Sequence, residues 1–312
     1  LTILDRRAMA TAPLHAFTAP AAGTGKSLLI DLFAFLATGR PMPVIAQGRT
    51  EEELEKRLGA ALLAGDTAIS LDNCDHPLES AFLCQALTQG QLNIRLLGYS
   101  QNVETPVNAT IFANGNNLVI VGDLVRRTLM CSMDAKCEQP ELRAFNVDAR
   151  EAAKAERGRL VAAGITILRA WQIARQGEAT GRLLPFGGFE QWSARVREAL
   201  LWLGCSDPCG TVAKTRSNDP ELEALRGMVV QWRDHLGLNT AYTIQGVIER
   251  AVNVGSFYTA LLNVAVNRSG GSVSNERLGR WLKRMQSKIV MGLRFVQDGN
   301  KDGYPLWKLT DQ

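Results

Sequence analysis

Up to residue 150, short apolar runs alternate with longer stretches of helical periodicity. Residues 14–18 form a short apolar run, 19–25 a loop of small residues, and 27–37 a helical stretch closed by Gly39 and Pro41. The segment TEEELEKRLGAALL, residues 50–63, predicts a second helix, because Thr50 and Glu53 stand at capping-box spacing and Gly65 ends the pattern. A second strand at 68–71 runs into Asp72, Asn73, Cys74 and Asp75, and a helix is expected over 78–87. Two strand-like pieces, 92–97 and 102–106, flank GYSQ as a hairpin tip. A third strand, 110–113, opens into a polar loop from Asn114 to Asn117. A further apolar piece at 118–121 and the segment GDLVRRTLMCSMD follow. Short strands separated by helices predict an α/β fold, a mainly parallel sheet with helices on both faces.

From residue 151 the pattern changes to long helical runs at 151–175, 189–203 and 221–236, with a Gly- and Pro-rich join, GRLLPFGGF, between the first two. Residues 151–237 therefore read as a helical middle subdomain beside a core of 1–150. In the remainder, 238–312, helices are expected at 241–252, 256–266 and 274–288. Strand-like pieces at 289–296 and 304–309 then surround the turn-rich DGNKDG. Three helices ending in a two-stranded wing describe a winged helix.

The loop after the first strand reads PAAGTGKSLL. Glycines there let successive backbone N–H groups turn inward around a phosphate, and the helix beyond adds its positive end. Lys26 brings a flexible point charge for the β and γ oxygens of ATP, and Ser27 a hydroxyl for Mg²⁺. The expected cradle is Pro20, Ala21, Ala22, Gly23, Thr24, Gly25, Lys26, Ser27 and Leu28. Pro20 stands where the strict pattern has Gly, so the backbone there must keep a negative φ.

Asp72, ending the second strand, is the expected carboxylate support for Mg²⁺, with a plain helix-capping role as its alternative. Beside it, Asn73 can orient a water but cannot take its proton, which leaves Asp75 or Glu79 as the candidate carboxylate. Asn116 is the candidate to hold that water or touch the γ-phosphate. Asn114 and Asn117 are near alternatives, and turn formation alone explains any one of them. Of the adjacent Arg126 and Arg127, one is expected to reach the γ-phosphate of a neighbouring subunit while the other pairs internally; two ordinary salt-bridging arginines are the alternative.

In the helix expected over 274–288, Arg277, Arg280, Arg284 and Lys288 recur at spacings that put them on one face, with Lys283 nearby. Leu278, Trp281, Leu282, Met285 and Ile289 define the adjoining apolar face. Such a helix suits DNA phosphates, against a solvated face or a protein partner as alternatives. Lys301 at the wing tip and Arg95 in the 92–106 hairpin add candidate contacts.

Composition changes this picture little. With 35 Lys and Arg against 31 Asp and Glu, the net charge of +4 is too mild to argue for nucleic acid alone. No apolar run is long enough for a membrane span, and LTILDRR lacks a signal-peptide layout, so a cytoplasmic protein of a bacterial or phage-infected cell is expected. A start without Met points to a fragment with a further domain upstream. Six cysteines lack the paired spacing of a structural zinc site and read as thiols in a reducing compartment.

Taken in order, PAAGTGKS, AISLDNCD, a hairpin, TIFANGNNL and GDLVRRTL resemble the AAA+ P-loop ATPases. The resemblance is strongest to the helicase region of primase-helicases of phages and mobile elements, similar to superfamily 3 and minichromosome-maintenance helicases. It implies Walker A roles for Lys26 and Ser27, Walker B for Asp72, sensor 1 for Asn116, and an arginine finger at Arg127 or Arg126. It also implies a hexameric ring with the hairpin facing DNA, a winged helix on DNA, a primase domain or partner upstream, and a second nucleotide sensor at Arg195 or Arg197. The expected function is an ATP-driven replicative DNA helicase or translocase. An initiator or loader using ATP as an assembly switch, and a non-catalytic nucleotide-binding scaffold, are the alternatives.

Overall fold

The computed structural model describes residues 1–96, 98, 101–175, 183–267 and 270–311. Tyr99 and Ser100 of the expected hairpin tip, and the first residues of GRLLPFGGF, lie outside the described residues. The chain divides into two compact units, Leu1–Arg216 and Ser217–Gln312.

The first unit opens with α1 (Thr2–Asp5), β1 (Leu14–Ala19), α2 (Lys26–Thr38), β2 (Val44–Ala46), α3 (Glu51–Leu63), β3 (Ala68–Asp72) and α4 (Ala81–Thr88). A hairpin of β4 (Gln91–Arg95) and β5 (Asn102–Pro106) follows, then β6 (Thr110–Asn116) and β7 (Thr128–Ser132). Strands β2, β3, β6, β1 and β7, in that order, form one parallel sheet. Its central strands are buried almost throughout, as a sheet covered on both faces requires. Alternation divides their side chains. Leu14, Ala16, Ile69, Leu71, Ile111 and Ala113 share the main core with Leu54, Leu58 and Leu62 of α3 and Leu83 and Leu87 of α4. Phe17, Ala68 and Phe112 face the other way, onto Ile30 and Ala34 of α2. The sheet, its flanking helices and the loop joining β1 to α2 are consistent with a P-loop NTPase-like fold.

Local signals set most boundaries. The Thr50 hydroxyl accepts from Glu53 N at 3.3 Å, and the Glu53 carboxylate accepts from Arg49 N at 2.8 Å, so α3 starts where its capping residues stand. Gly39 closes α2 in the left-handed region, its N–H reaching Phe35 O.

Other boundaries move. The stretch expected as a polar loop after residue 113 is strand as far as Asn116, because β1 pairs Asn114, Gly115 and Asn116, while on the other side β3 pairs β6 only up to Ala113 and the Cys74 N–H bonds the Asn114 carbonyl. The piece at 118–121 is not a strand; only Ile120 bridges, to Leu78. The helix expected over 78–87 begins later, at Ala81, where Ser80 caps it. Further on, α5 (Ala149–Ala174) leads to α6 (Glu190–Trp192), a wider π turn at Ser193–Arg197, α7 (Glu198–Trp202) and α8 (Gly210–Ser217). The π turn interrupts the helix expected over 189–203. There the Ala194 carbonyl accepts from the Trp171 indole at 2.8 Å and from the Arg175 guanidinium at 2.9 Å.

The second unit contains α9 (Pro220–Leu236), β8 (Tyr242–Thr243), α10 (Ile244–Val252), α11 (Gly255–Ala265), α12 (Asn275–Met285), β9 (Leu293–Lys301) and β10 (Tyr304–Asp311). Helix α9 was expected in the middle subdomain. Its Trp232, Met228 and Val229 instead share a core with Phe257, Leu278, Leu282, Phe295 and Trp307. The antiparallel sheet has three strands in the order β8-β10-β9 rather than two. Helix α12 stops at Met285, short of the expected Lys288, and Ile289 is exposed. No helix among the described residues is long and apolar enough to cross a membrane.

Candidate functional site

The carboxyl ends of β1, β6 and β3 bring three polar segments together. Between β1 and α2 the chain turns through Gly23 at φ +71° and Gly25 at φ +98°, conformations that favour glycine. Pro20 is not among the residues of positive φ, so proline at the loop entry is compatible with its backbone. Around Gly25 an added Cβ would meet nothing within 4 Å, which leaves the mouth of the loop open.

Lys26 begins α2 and is a buried residue. It donates to Asn116 Oδ1 at 2.7 Å, to Thr24 Oγ1 at 3.2 Å and to Ala21 O at 3.3 Å. Burial pushes its pKa down, and the Asp72 charge partly offsets this. Ser27 Oγ donates to Asp72 Oδ1 at 3.2 Å. Strand β6 lies between the strands bearing the loop and Asp72, so its last residue, Asn116, falls beside Lys26. A lysine ammonium at the start of a helix, behind a loop that turns on two glycines of positive φ, fits a polyphosphate. A hydroxyl beside a carboxylate offers the hard oxygen ligands Mg²⁺ prefers, and phosphate and water oxygens would complete its octahedron. When bound, Mg²⁺ would neutralise phosphate charge there, and Ser27 and Asp72 would hold it.

The three asparagines of β6 and its end have different surroundings. Asn114 is buried; its Oδ1 accepts from Asn73 N at 3.4 Å and its carbonyl from Cys74 N at 2.8 Å, so it braces the turn after β3. Asn117 takes φ +48° and turns the chain, its N–H bonding Ala19 O. Asn116 is the member of the three that accepts from the Lys26 ammonium. Asn73 is exposed at φ +52°. Asp75 is exposed and bound to His76 Nδ1 at 2.8 Å, and that bond holds its carboxyl below the usual range.

The arginines divide by burial. Arg127 is nearly buried and donates to Asp123 Oδ2 at 2.6 Å, Thr88 Oγ1 at 2.7 Å and Cys84 O at 3.1 Å, which ties it to the end of α4. Arg126 also pairs with Asp123, but its side chain is 49% exposed. Arg127 is thus held internally and Arg126 is the member of the pair that remains accessible. Arg195 and Arg197 are held by Asp5 and Asp207 respectively.

Three contributors had no sequence signal. Thr18 Oγ1 accepts from Leu118 N at 2.9 Å and shapes the turn after Asn116. Arg143 reaches Thr24 O at 3.4 Å, and Glu141 packs against Gly23, where an added Cβ would lie 2.9 Å away. Both come from a segment more than a hundred residues from the loop, so no local spacing announces them.

Neither a family model nor a curated protein sequence matches the chain. Among solved structures, the apo A form of the NrS-1 C-terminal region is similar at a TM-score of 0.40 and 12% identity, over 95% of this chain and 66% of that one. A JCV helicase crystallised with a thiazolopyridine compound is similar at a TM-score of 0.31 and 12% identity, over 65% of this chain and 56% of that one. This chain spans just under two thirds of the first and little more than half of the second. Neither likeness assigns a role to any residue here.

In the second unit three basic residues of α12, and Lys288 beyond its end, acquire partners. Arg280 pairs with Glu276 at 3.1 Å, Arg284 and Lys288 clasp Glu221 of α9 at 3.0 and 3.4 Å, and Arg277 donates to Val266 O at 2.7 Å. The uniform basic face expected from helical spacing is therefore partly neutralised, because Glu221 arrives from a distant part of the chain. Lys283, Lys301 and, in the first unit, Arg95 are exposed.

Proposed function

We propose that the protein is an ATP-dependent DNA helicase or translocase of the kind carried by a prophage or mobile element, hydrolysing ATP at the interfaces of a homo-oligomeric ring. The observation that carries this reading is the convergence of Lys26 Nζ, Ser27 Oγ, Asp72 and Asn116 at the carboxyl ends of the central strands of a parallel sheet. In it, Lys26 and the loop amides bind the phosphates, Ser27 and Asp72 hold Mg²⁺, and Asn116 orients the γ end. Imaging the protein with an ATP analogue and forked DNA, alongside DNA-stimulated ATPase and strand-displacement assays, tests it. Turnover without strand displacement would replace it with a loader or initiator that uses ATP as an assembly switch. That second reading is favoured by one observation, Asn73 beside Asp72 while the Asp75 carboxylate is engaged by His76.

The trans-acting arginine in this reading is Arg126, since Arg127 already has three partners inside the chain. Arg126→Ala is expected to leave nucleotide affinity unchanged and to remove the rise of specific ATPase activity with protein concentration. An unchanged concentration dependence defeats the role. Arg127→Ala is instead expected to lower stability by about 2 kcal/mol in denaturant titration, through lost bonds to Asp123, Thr88 and Cys84.

DNA would be held electrostatically in the second unit by Arg277, Arg280, Lys283 and Arg284 of α12, with Lys288 and Lys301; Arg95 of the first unit would be a contact of its own. Its affinity is then expected to fall linearly on a log–log salt plot, with a slope of about −0.9 for each phosphate neutralised. Lys283→Ala should reduce that slope by about 1, whereas Arg284→Ala should reduce it less, because Glu221 already draws on its charge. A slope insensitive to both changes places DNA elsewhere.

A further inference from the structure

Asp123, in the tight turn Gly122–Arg127, carries both members of the arginine pair. Its Oδ1 accepts from Arg126 Nε, and its Oδ2 accepts from Arg126 Nη2 at 3.2 Å and from Arg127 Nη2 at 2.6 Å. The bond to Arg126 holds the Asp123 carboxyl below its usual range, so the group is charged near neutral pH.

An exposed ion pair three residues apart ordinarily contributes little and leaves both side chains free to move. Here the carboxylate is braced from behind. The Arg127 side chain is only 11% exposed, and Thr88 Oγ1 at 2.7 Å and Cys84 O at 3.1 Å anchor it to α4. Arg127 thus fixes Asp123, and Asp123 fixes the plane of the Arg126 guanidinium.

The way Arg126 is gripped decides what it can still bind. A guanidinium has five N–H donors in one rigid plane. The two-point contact with Asp123 uses Nε and one N–H of Nη2, which leaves the second N–H of Nη2 and both of Nη1 along the opposite edge. That edge has no hydrogen-bond partner among the described residues, and the side chain is 49% exposed. Parallel N–H groups on one edge match two oxygens of a phosphate.

We propose that Asp123 is the positioning residue for Arg126: it grips one edge of the guanidinium, braced through Arg127 against α4, and presents the other edge to the γ-phosphate held by a neighbouring subunit. This rests on the reading of Arg126 as the trans-acting arginine. Charge and position make opposite demands on the carboxylate. Through space, a negative charge beside Arg126 weakens its pull on phosphate, so removing the charge alone would speed turnover. Removing the grip frees a long side chain that must be ordered again in every transition state, which slows it.

The test is steady-state ATPase of the 312-residue chain as a function of protein concentration, for Asp123→Asn, Arg126→Ala and the double variant. Rates are taken per folded chain from denaturant titration, since Arg127 also loses a partner in Asp123→Asn. Asp123→Asn is expected to lower kcat about tenfold or more, as a misplaced catalytic group does, with KM for ATP within about twofold of the parent. In the Arg126→Ala background the same change should add less than about twofold, because its effect passes through the arginine. Asp123→Glu, which keeps two carboxylate oxygens, should turn over faster than Asp123→Asn. Turnover by Asp123→Asn equal to or above the parent, beside a lowered Arg126→Ala, overturns the role of Asp123 and leaves Arg126 in place. Losses that multiply in the double variant overturn it as well. A parent without turnover that rises with concentration, or Arg126→Ala equal to the parent, removes the trans-acting arginine and this inference with it.

Discussion

Lys26→Ala is expected to lower ATP hydrolysis at least about 100-fold, roughly 3 kcal/mol in the barrier, while leaving the fold intact. The ammonium is placed at the loop by its own helix, 2.7 Å from Asn116 Oδ1 and bonded to the loop at Thr24 Oγ1 and Ala21 O. Removing it takes away the charge that would meet the β and γ oxygens. Stability should not fall. Burial lowers the folded-state pKa of Lys26, so the charged form is favoured in the unfolded chain, and at neutral pH its net titration effect opposes folding. Steady-state ATPase measured beside thermal unfolding checks both halves. Turnover within about threefold of the parent would remove the phosphate-binding role of Lys26.

Gly115→Ala is expected to destabilise the protein by about 3 kcal/mol, at the upper end of overpacking in a tight interior. An added Cβ would lie 2.3 Å from Cys74 O, and the atom in its way is backbone that the Cys74 N–H bond to Asn114 O holds in place. Either β6 or the turn after Asp72 must shift. Because Asn116 follows and Asp72 precedes that contact, nucleotide affinity should fall together with stability. Gly158→Ala in α5, where a Cβ meets nothing within 4 Å, is the control and should stabilise by about 0.5–1 kcal/mol. Equal denaturation midpoints for the two variants would show that the close approach is not rigid.

The elements of the first unit were legible wherever a local rule governs them. Thr50 and Glu53 mark the start of α3, Gly39 the end of α2, and the Gly-rich loop before Lys26 lies between the strand and helix that its neighbours predict. In the second unit, Leu278, Trp281, Leu282 and Met285 announced the buried face of α12 by spacing alone, and all four are buried. The asparagines past residue 113 were not legible as strand. Asn and Gly favour turns locally, and pairing with β1 along the whole of this stretch overrides that preference. The same limit applies to the arginines. Adjacency of Arg126 and Arg127 could not tell which is buried; that follows from the packing of α4, whose Thr88 and Cys84 receive Arg127.

By itself the sequence determined those features that short-range chemistry decides: the glycine-supported turn ahead of Lys26, the helix caps, the alternation of strand faces and the apolar stripe of α12. Tertiary structure alone decided the strand order, which inserts β6 between β1 and β3 and so sets Asn116 beside Lys26. It also decided that Glu221 neutralises part of the basic face at α12. Each of these joins residues far apart along the chain. Backbone and capping preferences act over a few residues, whereas such partners are chosen by which faces bury together.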